Sequence, residues 1–482
     1  MGLGALVAGD KTPGDLAVEP WDSCGPTEAA ARLRDRPRLA WLDSALSGPR
    51  HGRWSIVASD PRWTLTARGR QLRLASVGGA RTFDADPVAA LAAAVEAEPS
   101  PADDAASDLP FVGGAIGYLG FELARHIERL PATTRDDVGA PDLAVGWYDA
   151  ALVWDGLADE GWLVGAPAAV AHLRARLSRS APSASGAAPA ARLASSSGLR
   201  CNFERAGYLA AAERARRYIE AGDIYQVCLS QRFSVRPSAA GFDLYMRLRA
   251  VSPAPFAAYL DAGGTEVLSS CPERLLRADA ETLETSPIKG TRPRGAPPAE
   301  DRRLARELLR SEKDAAEHVM IVDLERNDLG RVSQVGSVCV PEFAAPRAFA
   351  QVHHLISTVV GRRRPGVGLA ELLRAVFPGG SVTGAPKIRA LEIIDELEPT
   401  VRGVYTGAIG YLSAHGRIDL STAIRTITLV GGIAHMHVGG AIVYDSDPEA
   451  EYIETLDKAR GMARALGVRL PDEQHRPAAV AL

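Results

Sequence analysis

No stretch of the chain approaches the roughly 20 apolar residues that a bilayer-spanning helix needs. The first twenty residues carry Asp10, Lys11, Asp15 and Glu19 where a secretory leader would place a basic start and an apolar run. Neither a membrane span nor a leader is expected. An excess of one charge is also missing: 55 basic residues meet 59 acidic ones, a formal net charge of −4. Nothing therefore favours nucleic acid or an anionic membrane as a partner, and the arginines and lysines are best read locally. Only five cysteines occur in 482 residues (Cys24, Cys201, Cys228, Cys271 and Cys339), and no two form a C-x-x-C pair. That excludes a disulfide scaffold or a local zinc site and fits a reduced, cytoplasmic protein. Nucleophile elbows of the Gly-x-Ser-x-Gly or Gly-x-Cys-x-Gly kind are absent, and so is the G-x-x-x-x-G-K-[ST] loop of nucleotide enzymes. Hydrolase chemistry and an in-chain glutaminase have no anchor here.

What is present reads as two regions. Up to residue 177, short segments rich in β-formers at 39–42, 54–58, 63–67, 143–148 and 151–154 predict antiparallel strands. Residues 87–97 predict an alanine-rich helix, and the glycine-studded Phe111–Gly120 predicts a strand in close backbone contact. Residues 178–200 are rich in Ser, Ala and Pro and predict a linker. From 201 to 470 long helices and strands alternate, and a short tail covers 471–482. Helices are predicted at 203–221, 242–251, 299–324, 369–377, 385–397 and 448–466, with a polar turn at 326–330. Strands are predicted at 224–233, 256–260, 267–270, 335–340, 355–360, 405–413, 418–428 and 433–444. Adjacent runs of strands with long helices argue for an α+β fold built on antiparallel sheets.

Several features bear on chemistry. Ser286-Pro-Ile-Lys-Gly-Thr-Arg-Pro-Arg-Gly295 confines Lys289 between Pro287 and Gly290 and adds Arg292 and Arg294. The stretch reads either as a basic surface turn or as a held lysine whose neighbouring cations depress its pKa towards a nucleophilic amine. Asp314 and Glu317 share one helix face, and Glu451 and Glu454 share another. Four acids from two helices suit Mg²⁺, although Lys313 and Lys458 stand at the i,i+4 spacing of ordinary surface ion pairs. Pro378-Gly-Gly-Ser-Val-Thr-Gly-Ala-Pro-Lys387 reads as a tight turn or as an anion-binding helix start capped by Thr383. Arg425, among small and apolar strand residues, needs an anion if it is buried. Glu273 at a strand end is a candidate proton donor, and Tyr405, Gly439, Gly440 and the His353–His354 pair are candidate pocket residues.

Taken together, GDIYQVCLSQRF, SSCPERLL, PIKGTRPRG, EKDAAEHVMIVDLERNDLGRV, FPGGSVTGAPKIRALEIIDELEP, GAIGYLSAHGRIDLSTAIRT and DSDPEAEYIETLDKAR resemble the chorismate-utilising enzymes. That family includes anthranilate synthase component I, aminodeoxychorismate synthase component I, and the isochorismate and salicylate synthases. The resemblance is dense from 222 to 467 and weaker before it, where WLDSA and FVGGAIGYLGFE carry it. It implies a large αββα sandwich of two antiparallel sheets with the active site between them. It implies Glu317 and Glu454 as Mg²⁺ ligands, supported by Asp314 and Glu451. Tyr405, Arg425, Lys458, Gly439 and Gly440 take the place of the substrate-carboxylate site, and Glu273 that of the general acid, with His354 and Thr291 nearby. Gln226 stands where water-using members have a water-activating lysine. Lys289 stands where anthranilate synthases have alanine, and it resembles the lysine of aminodeoxychorismate synthase component I. The resemblance thus implies conversion of chorismate and ammonia to 4-amino-4-deoxychorismate, on the way to 4-aminobenzoate and folate. The ammonia would come from a separate glutamine amidotransferase subunit.

Overall fold

Period-two alternation sends successive side chains of one strand into different cores. Ile56 and Val57 are both fully buried, yet Ile56 packs in a core between two sheets and Val57 in a core under helices; Ala40 and Trp41 divide the same way, as do Val153 and Leu152. Strands buried on both faces need a layer on each side, and the computed structural model has that arrangement. It describes residues 15–48, 50–101, 108–179, 198–295, 297–348 and 352–471. Among these, two sheets of twelve strands each stack face to face, and every strand pairing within them is antiparallel. Helices Pro26–Leu33, Pro167–Leu177, Arg205–Glu220, Gly241–Val251, Lys387–Leu397 and Pro448–Leu466 cover the first sheet, burying Leu33, Val170, Tyr208, Leu248, Ile394 and Leu456. Helices Pro87–Glu96, Glu312–Gly330 and Leu369–Val376 cover the second with Leu91, Val322 and Leu372. The α+β, αββα expectation holds.

The two regions read from the sequence meet inside both sheets. Ala257–Leu260 pairs with Ala40–Asp43 in the first sheet, and Ala408–Ser413 pairs with Gly114–Leu119 in the second. The glycines of that N-terminal strand allow the approach: a Cβ on Gly117 would lie 2.1 Å from the Ala144 carbonyl oxygen. Most of the linker stretch (180–197) and nearly all of the tail (472–482) lie outside the described residues.

Several elements depart from expectation. The helix expected at 299–324 is two helices, Pro298–Arg310 and Glu312–Gly330, because the Ser311 side chain accepts the Asp314 backbone N–H at 3.2 Å and starts a new one. The polar turn expected at 326–330 is the end of that second helix. Its one acid is buried and partnered: Asp328 receives Lys387 Nζ at 2.5 Å. The single strand expected at 418–428 is two strands, Ile418–Thr422 in the second sheet and Thr426–Val430 in the first. Arg425, at φ 51°, lies on the crossover between them and not in a strand. Thr383 does not cap helix Lys387–Leu397, whose first flanking residue is Pro386; its hydroxyl donates to the Gly379 and Gly380 carbonyls and closes the glycine loop on itself.

Candidate active site

Two crossovers between the sheets build the floor of the site. One runs from strand Thr265–Cys271 of the first sheet through Pro272 and Glu273 to strand Arg274–Ala278 of the second; the other carries Arg425 back. They are hydrogen-bonded to each other, the Thr422 N–H donating to Glu273 O (3.1 Å) and the Ser270 N–H to Arg425 O (3.1 Å). Glu273 and Arg425, 152 positions apart in sequence, are thereby placed side by side. Glu273 is 5% exposed, and burial pushes its carboxyl up to about 7, against the opposing pull of Ser381, Lys289 and Arg425. Its Oε1 accepts the Ser381 hydroxyl from the glycine loop. Arg425 is half-buried, which lowers its pKa, and it makes no side-chain hydrogen bond or ion pair with a described residue. A guanidinium desolvated in this way costs several kcal/mol unless an anion completes it.

Lys289 lies on strand Ile288–Pro293, paired with Val352–Arg362. The register slips between Lys289 and Thr291, where Gly290 adopts φ 77°, and this bulge sets the direction of the lysine. Its Nζ is 3.9 Å from Glu317 Oε2, and the side chain is 13% exposed. The expectation of a depressed pKa is overturned. Burial pulls the value down, but Cys228, Glu317, Glu273 and Glu454 outweigh it and hold the amine as an ammonium. The two arginines expected to act on it are engaged elsewhere, Arg292 with Asp314 (2.9 Å) and Glu307 (3.3 Å), and Arg294 with Asp301 (2.7 Å).

The acid pairs approach from their helices. Lys313 Nζ lies between them, 3.9 Å from Glu317 Oε1 and 3.7 Å from Glu451 Oε1. Burial raises Glu317 and Glu451, whereas the adjacent Lys458 holds Glu454 below its usual range. Glu451 Oε1 also accepts the Ser446 hydroxyl at 2.6 Å. Asp314 gives one oxygen to Arg292. A Cβ on Gly440 would stand 3.1 Å from Glu451 Oε2 and 3.7 Å from Glu454 Oε1, so the glycine leaves space beside the acids. Lys458 Nζ donates to Gly439 O (2.8 Å) and pairs with Glu454 (2.7 Å).

Tyr405 stacks on His437 with ring centroids 5.2 Å apart, and its hydroxyl lies 3.0 Å from where a Cβ on Gly439 would be. Burial raises its pKa, so it stays a protonated donor. His354 is held neutral by burial, its value pushed down to about 3; Nδ1 lies 3.2 Å from Gly290 O and 3.0 Å from Thr291 Oγ1. The contact with a carbonyl, which only accepts, assigns the ring proton to Nδ1. Gln226 is fully buried on the adjoining strand, its Nε2 against Cys228 Sγ at 3.9 Å. Ser381, Cys228 and Ser446 were not foreseen. Ser381 lay in a loop whose glycines drew attention to its backbone, and the other two had no local signal.

Comparison with known proteins decides the family. A model of the chorismate binding enzyme family matches residues 44–464. The chain belongs to that family. Anthranilate synthase component 1 of Thermus thermophilus is 40% identical over 444 residues, covering 92% of this chain and 95% of the relative. Aminodeoxychorismate synthase component 1 of Salmonella typhimurium is also 40% identical, over 448 residues, covering 93% and 97%. The crystal structure of anthranilate synthase component I from Streptococcus pneumoniae superposes with a TM-score of 0.76 at 34% identity, over 86% of this chain and 93% of that one. The isochorismate synthase MenF from Escherichia coli shares the fold at 18% identity and a TM-score of 0.69. As a chorismate-utilising enzyme, the protein has its family's two sheets, and the residues gathered above lie within the matched span. Among the described residues no helix is long and apolar enough to cross a membrane.

Proposed function

We propose that this enzyme converts chorismate and ammonia to 4-amino-4-deoxychorismate and water. The observation that carries the reading is Lys289, a nearly buried primary amine facing Glu317, with the buried acid Glu273 near enough to shift its pKa. Identity does not separate aminodeoxychorismate from anthranilate synthases here, since relatives of both kinds stand at 40%. Lys289 supports the aminodeoxychorismate reading, because the resemblance read from the sequence implies alanine at this position in anthranilate synthases and lysine in aminodeoxychorismate synthase component I. In the proposed reaction the neutral amine adds to C2 of chorismate, the ring double bonds shift, and the C4 hydroxyl leaves as water with the proton of Glu273. Ammonia then adds at C4 and expels the lysine amine, and the new ammonium returns one proton to Glu273. Arg425, Tyr405 and Lys458 hold the substrate's carboxylates. Gln226, which has no strong base, leaves water unactivated as a competitor.

The donor set fits Mg²⁺. No three acidic, His or Cys side chains converge at ligand distance among the described residues, but Mg²⁺ usually takes one or two carboxylates with waters and an anionic substrate. The ammonium of Lys313 already lies between carboxylates of two helices. We infer that Glu317 and Glu454 hold the ion, with Asp314 and Glu451 in support. Bound there, it would fix a substrate carboxylate and offset the acids that keep Lys289 charged. A separate amidotransferase component is proposed as the ammonia source, because the relatives matched along almost their whole length are themselves named component 1.

Product identity tests the proposal. With chorismate, ammonium and Mg²⁺ the expected product is 4-amino-4-deoxychorismate, and chelation of Mg²⁺ stops its formation. Anthranilate as the main product would refute the assignment, and undiminished turnover after chelation would remove the metal.

A further inference from the structure

Glu325 has no part in the chemistry above, yet it is a glutamate only 2% exposed within the catalytic half of the protein. It lies on helix Glu312–Gly330, the helix that also carries Asp314 and Glu317. Both of its oxygens are used. Oε1 accepts the Gly380 backbone N–H at 3.1 Å, and Oε2 accepts the Thr285 hydroxyl at 3.0 Å. Gly380 precedes Ser381, whose hydroxyl is bonded to Glu273. Thr285 is four residues before Lys289 on the strand that leads to it. One carboxyl group therefore ties the helix of Glu317, the loop of Ser381 and the approach to Lys289.

Gly380 has little freedom to move away from this contact. A Cβ there would stand 2.5 Å from Leu324 Cδ2 and 3.3 Å from Glu325 Oε1. Asp328, one turn further along the helix, receives Lys387 Nζ at 2.5 Å, and the same Nζ donates to Pro378 O at 2.9 Å. The loop is thus clamped at Pro378 and at Gly380, with Ser381 next to the second clamp. Burial first, then the neighbouring Asp328, pushes Glu325 up to about 8. Glutamine keeps the side-chain length and an acceptor oxygen for the Gly380 N–H, and is therefore its close substitute in shape.

We propose that Glu325 is a positioning residue: by fixing Gly380 it sets the Ser381 hydroxyl on Glu273 and so the direction in which Glu273 delivers its proton. This inference rests on the reading of Glu273 as the proton donor. Without Glu325 the Gly380 N–H is left unsatisfied in a buried loop, and a shift of about 1 Å in a positioned group costs on the order of 10²-fold in rate.

The experiment is a double-mutant cycle of Glu325→Leu and Ser381→Ala, with Glu325→Gln as the conservative variant and Glu273→Gln as the control. Steady-state kcat and KM for chorismate are measured with ammonium. Glu325→Leu is expected to lower kcat by at least about tenfold with KM within about twofold, and Glu325→Gln to restore kcat to within about threefold. In the Ser381→Ala background Glu325→Leu is expected to cost less than about twofold, because the two act through one contact. Losses that multiply, a change confined to KM, or no rescue by glutamine would overturn the positioning role. If Glu325→Leu does not fold, Thr285→Val takes its place in the cycle with the same expected non-additivity. Should Glu273→Gln leave kcat unchanged, the proton-donor reading fails on its own, whatever the cycle shows.

Discussion

Lys289→Ala is expected to reduce formation of 4-amino-4-deoxychorismate by about 10⁴-fold or more, the scale on which enzymes lose rate when a covalent nucleophile is removed. The size of the loss follows from what the lysine touches. Its amine lies 3.9 Å from Glu317 and takes little part in holding the fold together, so removing it leaves strand Ile288–Pro293 paired with Val352–Arg362. The proposed substrate-carboxylate site uses other groups, Arg425 and Lys458 among them, and KM should therefore change far less than kcat. Isothermal titration with chorismate, beside turnover, separates the two effects. Unchanged turnover in the alanine variant would remove the lysine from the mechanism.

Glu273→Gln is expected to lower kcat by about 10²- to 10⁴-fold, the usual contribution of a positioned general acid. Burial raises Glu273 to about 7, above the usual carboxyl value. A raised value means that the carboxyl is protonated below about 7 and loses its proton as the pH rises through that point. Infrared difference spectra of parent minus variant should show one protonated carboxyl band that fades across that midpoint. Glu122 and Glu325 are also raised by burial, to about 7 and about 8, and the subtraction cancels them. A band that fades near the ordinary carboxyl range would contradict the burial argument. The chemistry needs this proton on Glu273 and none on Lys289, whereas the free site holds a charge on the lysine as well. On the proposed reading, a cation held by the acid cluster would reconcile the two demands.

Where the determinants are local, the sequence was a good guide. Helix Pro448–Leu466 was placed to the residue because its signals are adjacent: the Asp447 side chain caps it, Pro448 starts it and Gly467, at φ 71°, ends it. Its acids Glu451 and Glu454 could be put on one face for the same reason. The alternation at 418–428 was equally clear and still misled, because both halves are strands and the change of sheet at Arg425 involves no glycine or proline. The partnership of Glu273 with Ser381 joins residues 108 positions apart, and no local pattern announces it. The charge on Lys289 was misread for a related reason: the nearby arginines were visible in sequence, while the acids that neutralise them and those that face the lysine come from other elements. Composition and spacing therefore reached the acid pairs and the held lysine, and the tertiary contacts decided how each is charged.

In the proposed reaction Lys289 forms a bond to the substrate. Incubating the enzyme with chorismate and Mg²⁺ in the complete absence of ammonia, then quenching and mapping peptides by mass spectrometry, tests it directly. The peptide containing Lys289 is expected to gain the mass of chorismate less one water, and adding ammonium before the quench is expected to remove the adduct. An unmodified Lys289 under conditions where ammonium supports turnover would contradict it.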